Sequence, residues 1–167
     1  MSEKDQIVKE KLKYAGLIDF ENAYKFAYEW LKNEGLGVTE DTYSEKIKSG
    51  GKELEIEWST SKKLTDYFKA SYKIKWRVLG LSDVEVEIDG RKKKMNKVAD
   101  LSIEIKGTLE KDYSNQWEGS AFNKFIKDVY NKYVIPQRTD EKAGTVFSTV
   151  QDFKEEMKAF LELTGRK

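Results

Sequence analysis

Arg91-Lys92-Lys93-Lys94-Met95-Asn96-Lys97 places five cations directly after an Asp-Gly pair. A hairpin that presents backbone N–H groups and ammonium groups together suits a phosphate or a nucleic-acid backbone. Strand pairing across Asp89-Gly90 sets Lys92 against Glu87 and Lys94 against Glu85, which neutralises two of those cations. Arg91, Lys93 and Lys97 are left as the nucleic-acid candidates. Arg91 and Lys93 project toward the apolar face near a strand end, where long side chains snorkel.

Glu45 is the second residue with chemical potential. Alternation puts it between Tyr43 and Ile47 on the apolar face of a strand, opposite Ile56. A carboxylate enclosed there has a raised pKa, the condition for general acid or base work. On an edge strand, the same inward charge instead blocks edge-to-edge pairing. Aromatic residues form the third group. Trp30, Trp58 and Trp76, with Tyr43 and Tyr72, either line a cavity between sheet and helices that takes an apolar ligand, or pack as core. Trp117-Glu118-Gly119 stands before a helix and staples its entry.

The 167 residues contain neither histidine nor cysteine. This removes His/Cys zinc sites, Ser-His-Asp and Cys-His nucleophiles, and imidazole-based pH switches. Only Asp, Glu, Lys, Arg, Tyr, Ser and Thr remain for catalysis, and no Gly-rich phosphate loop, DxD or HExxH pattern organises them. The expected role is therefore binding rather than catalysis, with no cofactor and no metal. A balance of 31 basic and 30 acidic residues argues against a bulk electrostatic partner such as duplex DNA. Partners are expected to be a protein or a small apolar ligand, with nucleic acid less favoured. Absence of cysteine fits a reducing, cytosolic setting. The start, MSEKDQIVKEKLKY, carries no apolar core like a signal peptide's, and no run approaches the ~20 apolar residues of a membrane span.

One long strand organises the elements that position these groups. Phe68, Ala70, Tyr72, Ile74, Trp76 and Val78 alternate with Lys69, Ser71, Lys73, Lys75 and Arg77, the period of a half-buried strand. Residues 1–16 read as a mobile arm or a short helix with Ile7, Val8 and Leu12 on one side. Residues 20–34 read as a helix capped by Asp19 and closed by Gly35. A Gly50-Gly51 turn would set Lys48 against Glu53, Lys46 against Glu55, Ile47 against Leu54 and Tyr43 against Trp58. STSKKLT reads as a loop. A Gly80-Leu81-Ser82 turn would then set Arg77 against Glu85, Lys75 against Glu87, Lys73 against Asp89 and Ile74 against Ile88. Asp89-Gly90 is a type I′ signal that sets Val86 against Lys93. A last strand carries Leu101, Ile103 and Ile105. Helices are expected from Ser120 to about Val134, stopped by Pro136, and from Ser148 to Gly165.

The expected whole is a single α+β domain over residues 1–167. It is an antiparallel meander of about six strands with one solvated face, the other covered by an N-terminal and two C-terminal helices. AYEWLKNEG, YSEKIKSGGKELEIEW, DYFKASYKIKWRVLGLSDVEVEIDGRKKKMNK, DYSNQWE and YNKYVIP together resemble a group of small uncharacterised archaeal proteins. The resemblance covers most of the chain from Ala23 onward and implies no activity, cofactor or site residue. A helix followed by a long meander is also similar to cystatin-like and NTF2-like folds, from which the C-terminal helices depart.

Overall fold

In a computed structural model, which describes residues 3–111, 125 and 135–165, the alternating stretch lies in the middle of the sheet. The strands are β1 (Glu3–Ile18), β2 (Thr39–Lys48), β3 (Gly51–Lys63), β4 (Phe68–Ile88) and β5 (Arg91–Lys111). Helix α1 (Phe20–Asn33) follows β1, and α2 (Ile135–Gly165) ends the described chain. All strand pairs are antiparallel, in the order β1-β5-β4-β3-β2. The meander β2 to β5 is thus completed by the N-terminal strand, which pairs with the last. The fold is α+β.

Residues 1–16 are therefore neither arm nor helix: from Glu3 onward they form β1, paired to β5 from Glu3↔Lys111 to Ile18↔Asn96. A bulge between Gln6 and Val8 interrupts the alternation. It lets the adjacent Ile7 and Val8 both reach the core, and two apolar neighbours followed by Leu12 imitate a helical stripe.

The largest correction concerns Gly80. Its φ is +66°, but the chain does not turn there. β4 and β5, each 21 residues long, form one hairpin closed by Asp89-Gly90, both in the left-handed region at φ +52° and +76°. Val86 does face Lys93, while Ile74 faces Ile105 rather than Ile88. The expected strands on either side of Gly80 are one, as are the last two, and with β1 added the sheet has five strands instead of six. A Cβ on Gly80 would lie 2.8 Å from that of Ala99, so glycine serves close packing within a strand.

The β2–β3 hairpin pairs Lys48 with Gly51, so its turn is Ser49-Gly50. The expected register is displaced by two residues, which keeps every side chain on its face. Tyr43 meets Ile56, Glu45 meets Leu54 and Ile47 meets Lys52. Gly51 is needed for another reason: at φ +122°, a Cβ there would stand 2.8 Å from the Leu81 carbonyl oxygen. STSKKLT is largely strand, since β3 continues to Lys63.

Helix α1 follows its sequence signals. Asp19 Oδ1 accepts from the Asn22 N–H at 3.3 Å, and Gly35 has φ +81°. α2 begins earlier than Ser148, at Ile135, and Pro136 stands in its first turn, where a missing N–H breaks no bond. The predicted 120–134 helix and Trp117 lie outside the described residues, Phe125 apart, which is helical and exposed.

Both helices cover the same face. Val146, Val150, Phe153, Met157 and Leu161 of α2 are buried, as are Ala23, Ala27 and Leu31 of α1. Phe26 stacks on Phe160 with centroids 4.5 Å apart, and Trp30 meets Phe153 edge-on at 5.6 Å. No helix among the described residues is long and apolar enough to cross a membrane.

Candidate anion-binding site

The face of the sheet away from the helices is set by strand alternation and by the hairpin register. On β4 its residues are Lys69, Ser71, Lys73, Lys75 and Arg77, because the even-numbered neighbours are buried in the core. Lys75 lies between Glu104 of β5 and Glu57 of β3, and its ammonium is 3.7 Å from Glu57. Arg77 lies between Ser102 and Glu55. These neighbours have the opposite-charge or polar partners expected of a solvated sheet.

One row departs from that pattern. Lys9 of β1, Lys106 of β5 and Lys73 of β4 are successive cross-strand partners, followed by Ser59 of β3. Strand spacing brings their backbones within ~4.8 Å of one another. Like charges directly opposite oppose pairing by roughly 0.2–1 kcal/mol each. Lys9 is relieved by Glu104 at 3.6 Å. Among the described residues, neither Lys73 nor Lys106 has an ion pair.

Beside this row lies a neutral one, Gln6, Thr108, Ser71 and Ser61, and then Lys4, Glu110 and Lys69. Lys4, Gln6, Ser71, Lys73, Lys106 and Thr108 line a hollow of about 320 Å³. A second hollow of the same volume shares Lys4, Ser71 and Lys73 with it and extends to Ser59, Ser61 and Thr39. Glu110 is the one carboxylate along these walls. The result is an open trough in which ammonium groups surround hydroxyl and amide groups. Such a set can hold an anion. Among the described residues no three His, Cys, Asp or Glu side chains gather as metal ligands.

Sequence reasoning identified none of these residues as a site. The signal was available only through the β4–β5 register: a turn at Gly80 pairs Lys73 with Asp89, whereas the continuous hairpin pairs it with Lys106.

The residues expected to line an apolar pocket are placed differently. Trp58, Tyr72 and Trp76 are buried, and the Trp58 ring packs on Tyr24 at 5.0 Å and on Trp76 at 5.4 Å. The space between α2 and the sheet beside Leu12, Ile103 and Phe153 is too small for water. Trp30 lies against Phe153, away from Trp58 and Trp76. Tyr24 donates to the Glu40 carboxylate, and the Trp58 indole N–H reaches the same oxygen at 3.4 Å. Burial, then that hydrogen bond, push the Tyr24 hydroxyl up to about 12, so it stays a donor.

Glu45 is on the edge strand β2, opposite Leu54 rather than Ile56, and its carboxylate is 3.1 Å from the Lys52 ammonium. Tyr43 and Ile47 on either side are 52% and 82% exposed, so the carboxylate is not enclosed. The hydrogen bond to Glu45 and its charge raise the Lys52 pKa.

Arg91 and Lys93 face Ile88 and Val86 at the end of the β4–β5 hairpin and line a hollow of about 600 Å³ with Asp89 and Lys92. Lys97 pairs with Ser82 and Leu17, at the base of the projecting ribbon and apart from the other two. β3 stops pairing at Leu81 and β1 at Asn96, so the tip is two-stranded.

No protein-family model, curated protein or solved structure matches the chain.

Proposed function

We propose that the protein is a non-enzymatic, cytosolic binding module that takes an anionic, phosphate-bearing ligand on the outer face of its sheet. The carrying observation is the row Lys9, Lys106, Lys73: like charges on adjacent strands, of which Lys9 alone has an ion pair among the described residues, that weaken the fold and favour an anion laid over them. The adjoining hydroxyl and amide row supplies neutral hydrogen bonds to the same ligand. An apolar-ligand pocket between sheet and helices has less support, because Trp58 packs ring to ring with Trp76 and Tyr24.

Calorimetric titration of the whole chain with inorganic triphosphate at low salt tests this reading. Binding is expected to weaken with added salt, and Lys73→Gln with Lys106→Gln to lower affinity by about tenfold or more. Unchanged affinity in that double variant overturns the location, and no binding overturns the reading.

A second reading keeps nucleic acid as a partner of the ribbon, supported by Arg91 and Lys93 having Ile88 and Val86, not carboxylates, as cross-strand partners. It predicts salt-sensitive oligonucleotide binding reduced by Arg91→Ala and Lys93→Ala, while Lys92→Ala and Lys94→Ala matter less. Absence of DNA or RNA binding at low salt rules it out.

A further inference from the structure

Resting on the anion-binding reading, we infer that the trough accepts a soluble polyol carrying two phosphates at opposite ends. The order of its rows carries the inference. Lys73 and Lys106 stand at one end and Lys4 at the other, with Gln6, Ser71 and Thr108 between them. Lysine only donates, which suits phosphate oxygens; hydroxyl and amide side chains both donate and accept, which suits ligand hydroxyls. The end rows are four residues apart along β5, from Lys106 to Glu110, or about 13 Å before the lysine stems lean inward. That separation matches two anionic groups joined by a hydroxylated body. Glu110 at the Lys4 end can accept from a further hydroxyl.

The same walls disfavour the other phosphate ligands. An inorganic polyphosphate chain long enough to run the length of the trough asks for cations throughout, and here a neutral row interrupts them. Single-stranded nucleic acid is held largely by base stacking on aromatic rings. The one aromatic residue along these walls, Tyr72, is 3% exposed. A lipid-borne headgroup would need apolar side chains beside the site to enter the bilayer. The lining side chains besides Tyr72 and Gly37 are Lys, Gln, Ser, Thr and Glu.

Competitive titration of the whole chain separates these cases, with an inositol bisphosphate phosphorylated at opposite ring carbons, inorganic diphosphate, oligothymidylate and phosphoinositide vesicles as probes. The inositol bisphosphate is expected to bind at least about tenfold more tightly than diphosphate. Ser71→Ala with Thr108→Val should remove that advantage by weakening the bisphosphate far more than diphosphate, while Lys106→Gln lowers both. Lys13→Gln, outside the trough on the same face, should change neither. Diphosphate binding as tightly as the bisphosphate would overturn the polyol assignment and leave the anion site standing. Tighter binding of oligothymidylate, or of vesicles without binding of the soluble bisphosphate, would likewise replace the ligand class. Failure of every probe would overturn the anion-binding reading itself.

Discussion

Gly107 leaves no space for a side chain where α2 crosses β5. A Cβ there would sit 2.6 Å from Val146 Cγ1, 3.0 Å from Val150 Cγ2 and 3.3 Å from Val8 Cγ1. Two of those neighbours are β-branched side chains stiffened in a helix, so the helix itself must lift. Gly107→Ala is therefore expected to cost about 1–3 kcal/mol in urea unfolding, the range for an overfilled core. Glu45 predicts the opposite kind of outcome. Its carboxylate is exposed and paired to Lys52 across the sheet edge, and exposed pairs contribute at most about 1 kcal/mol. Glu45→Gln should shift stability by less than about 1 kcal/mol. Urea unfolding of the variant checks this, and a much larger shift would restore the functional-site idea.

At the scale of elements, β1 and α2 are joined through Glu10. It lies opposite Ile105, on the strand face toward α2, accepts from Gln151 Nε2 at 2.8 Å and holds the Lys154 ammonium at 3.1 Å. The Gln151 hydrogen bond, then Lys154, keep its pKa below the ordinary 4.5. A depressed folded pKa contributes stability that is present above the unfolded value and is lost as pH falls through the folded one. Unfolding free energy should therefore drop as pH falls below about 4.5, and Glu10→Gln should flatten that part of the profile. A variant with the wild-type acid slope would contradict the role given to Glu10. The elements also show why some parts of the fold were legible and others were not. The Asp19 cap, the Asp89-Gly90 turn and the inner face of β4 depend on residues close in sequence. Gly80 and Gly51 answer to strands that come from elsewhere, so each imitates a turn signal. Residues 3–18 take their state from pairing with β5, which no local pattern announces.

For the whole molecule, register turns charge into a site. Lys and Glu alternate so regularly on these strands that several registers give complementary pairs. A turn at Gly80 gives Lys73, Lys75 and Arg77 acidic partners, whereas the true hairpin sets Lys73 against Lys106, and so it hid the lysine row. The helix-covered face was readable because burial needs only alternation. The solvated face was not, because its meaning lies in which residues of β1, β4 and β5 become neighbours. A face kept at a cost to stability for binding should show both effects in one protein. Lys106 takes part in both like-charge pairs of the row, so Lys106→Gln removes both at once.

Melting of wild type and Lys106→Gln at low salt, with and without inorganic triphosphate, tests that claim most directly. Without triphosphate the variant should melt about 1–8 °C above wild type, as two relieved like-charge pairs imply for a chain of this size. Triphosphate should raise the wild-type transition and move the variant's much less. A variant that melts below wild type, or that responds to triphosphate as fully as wild type, would contradict the anion site.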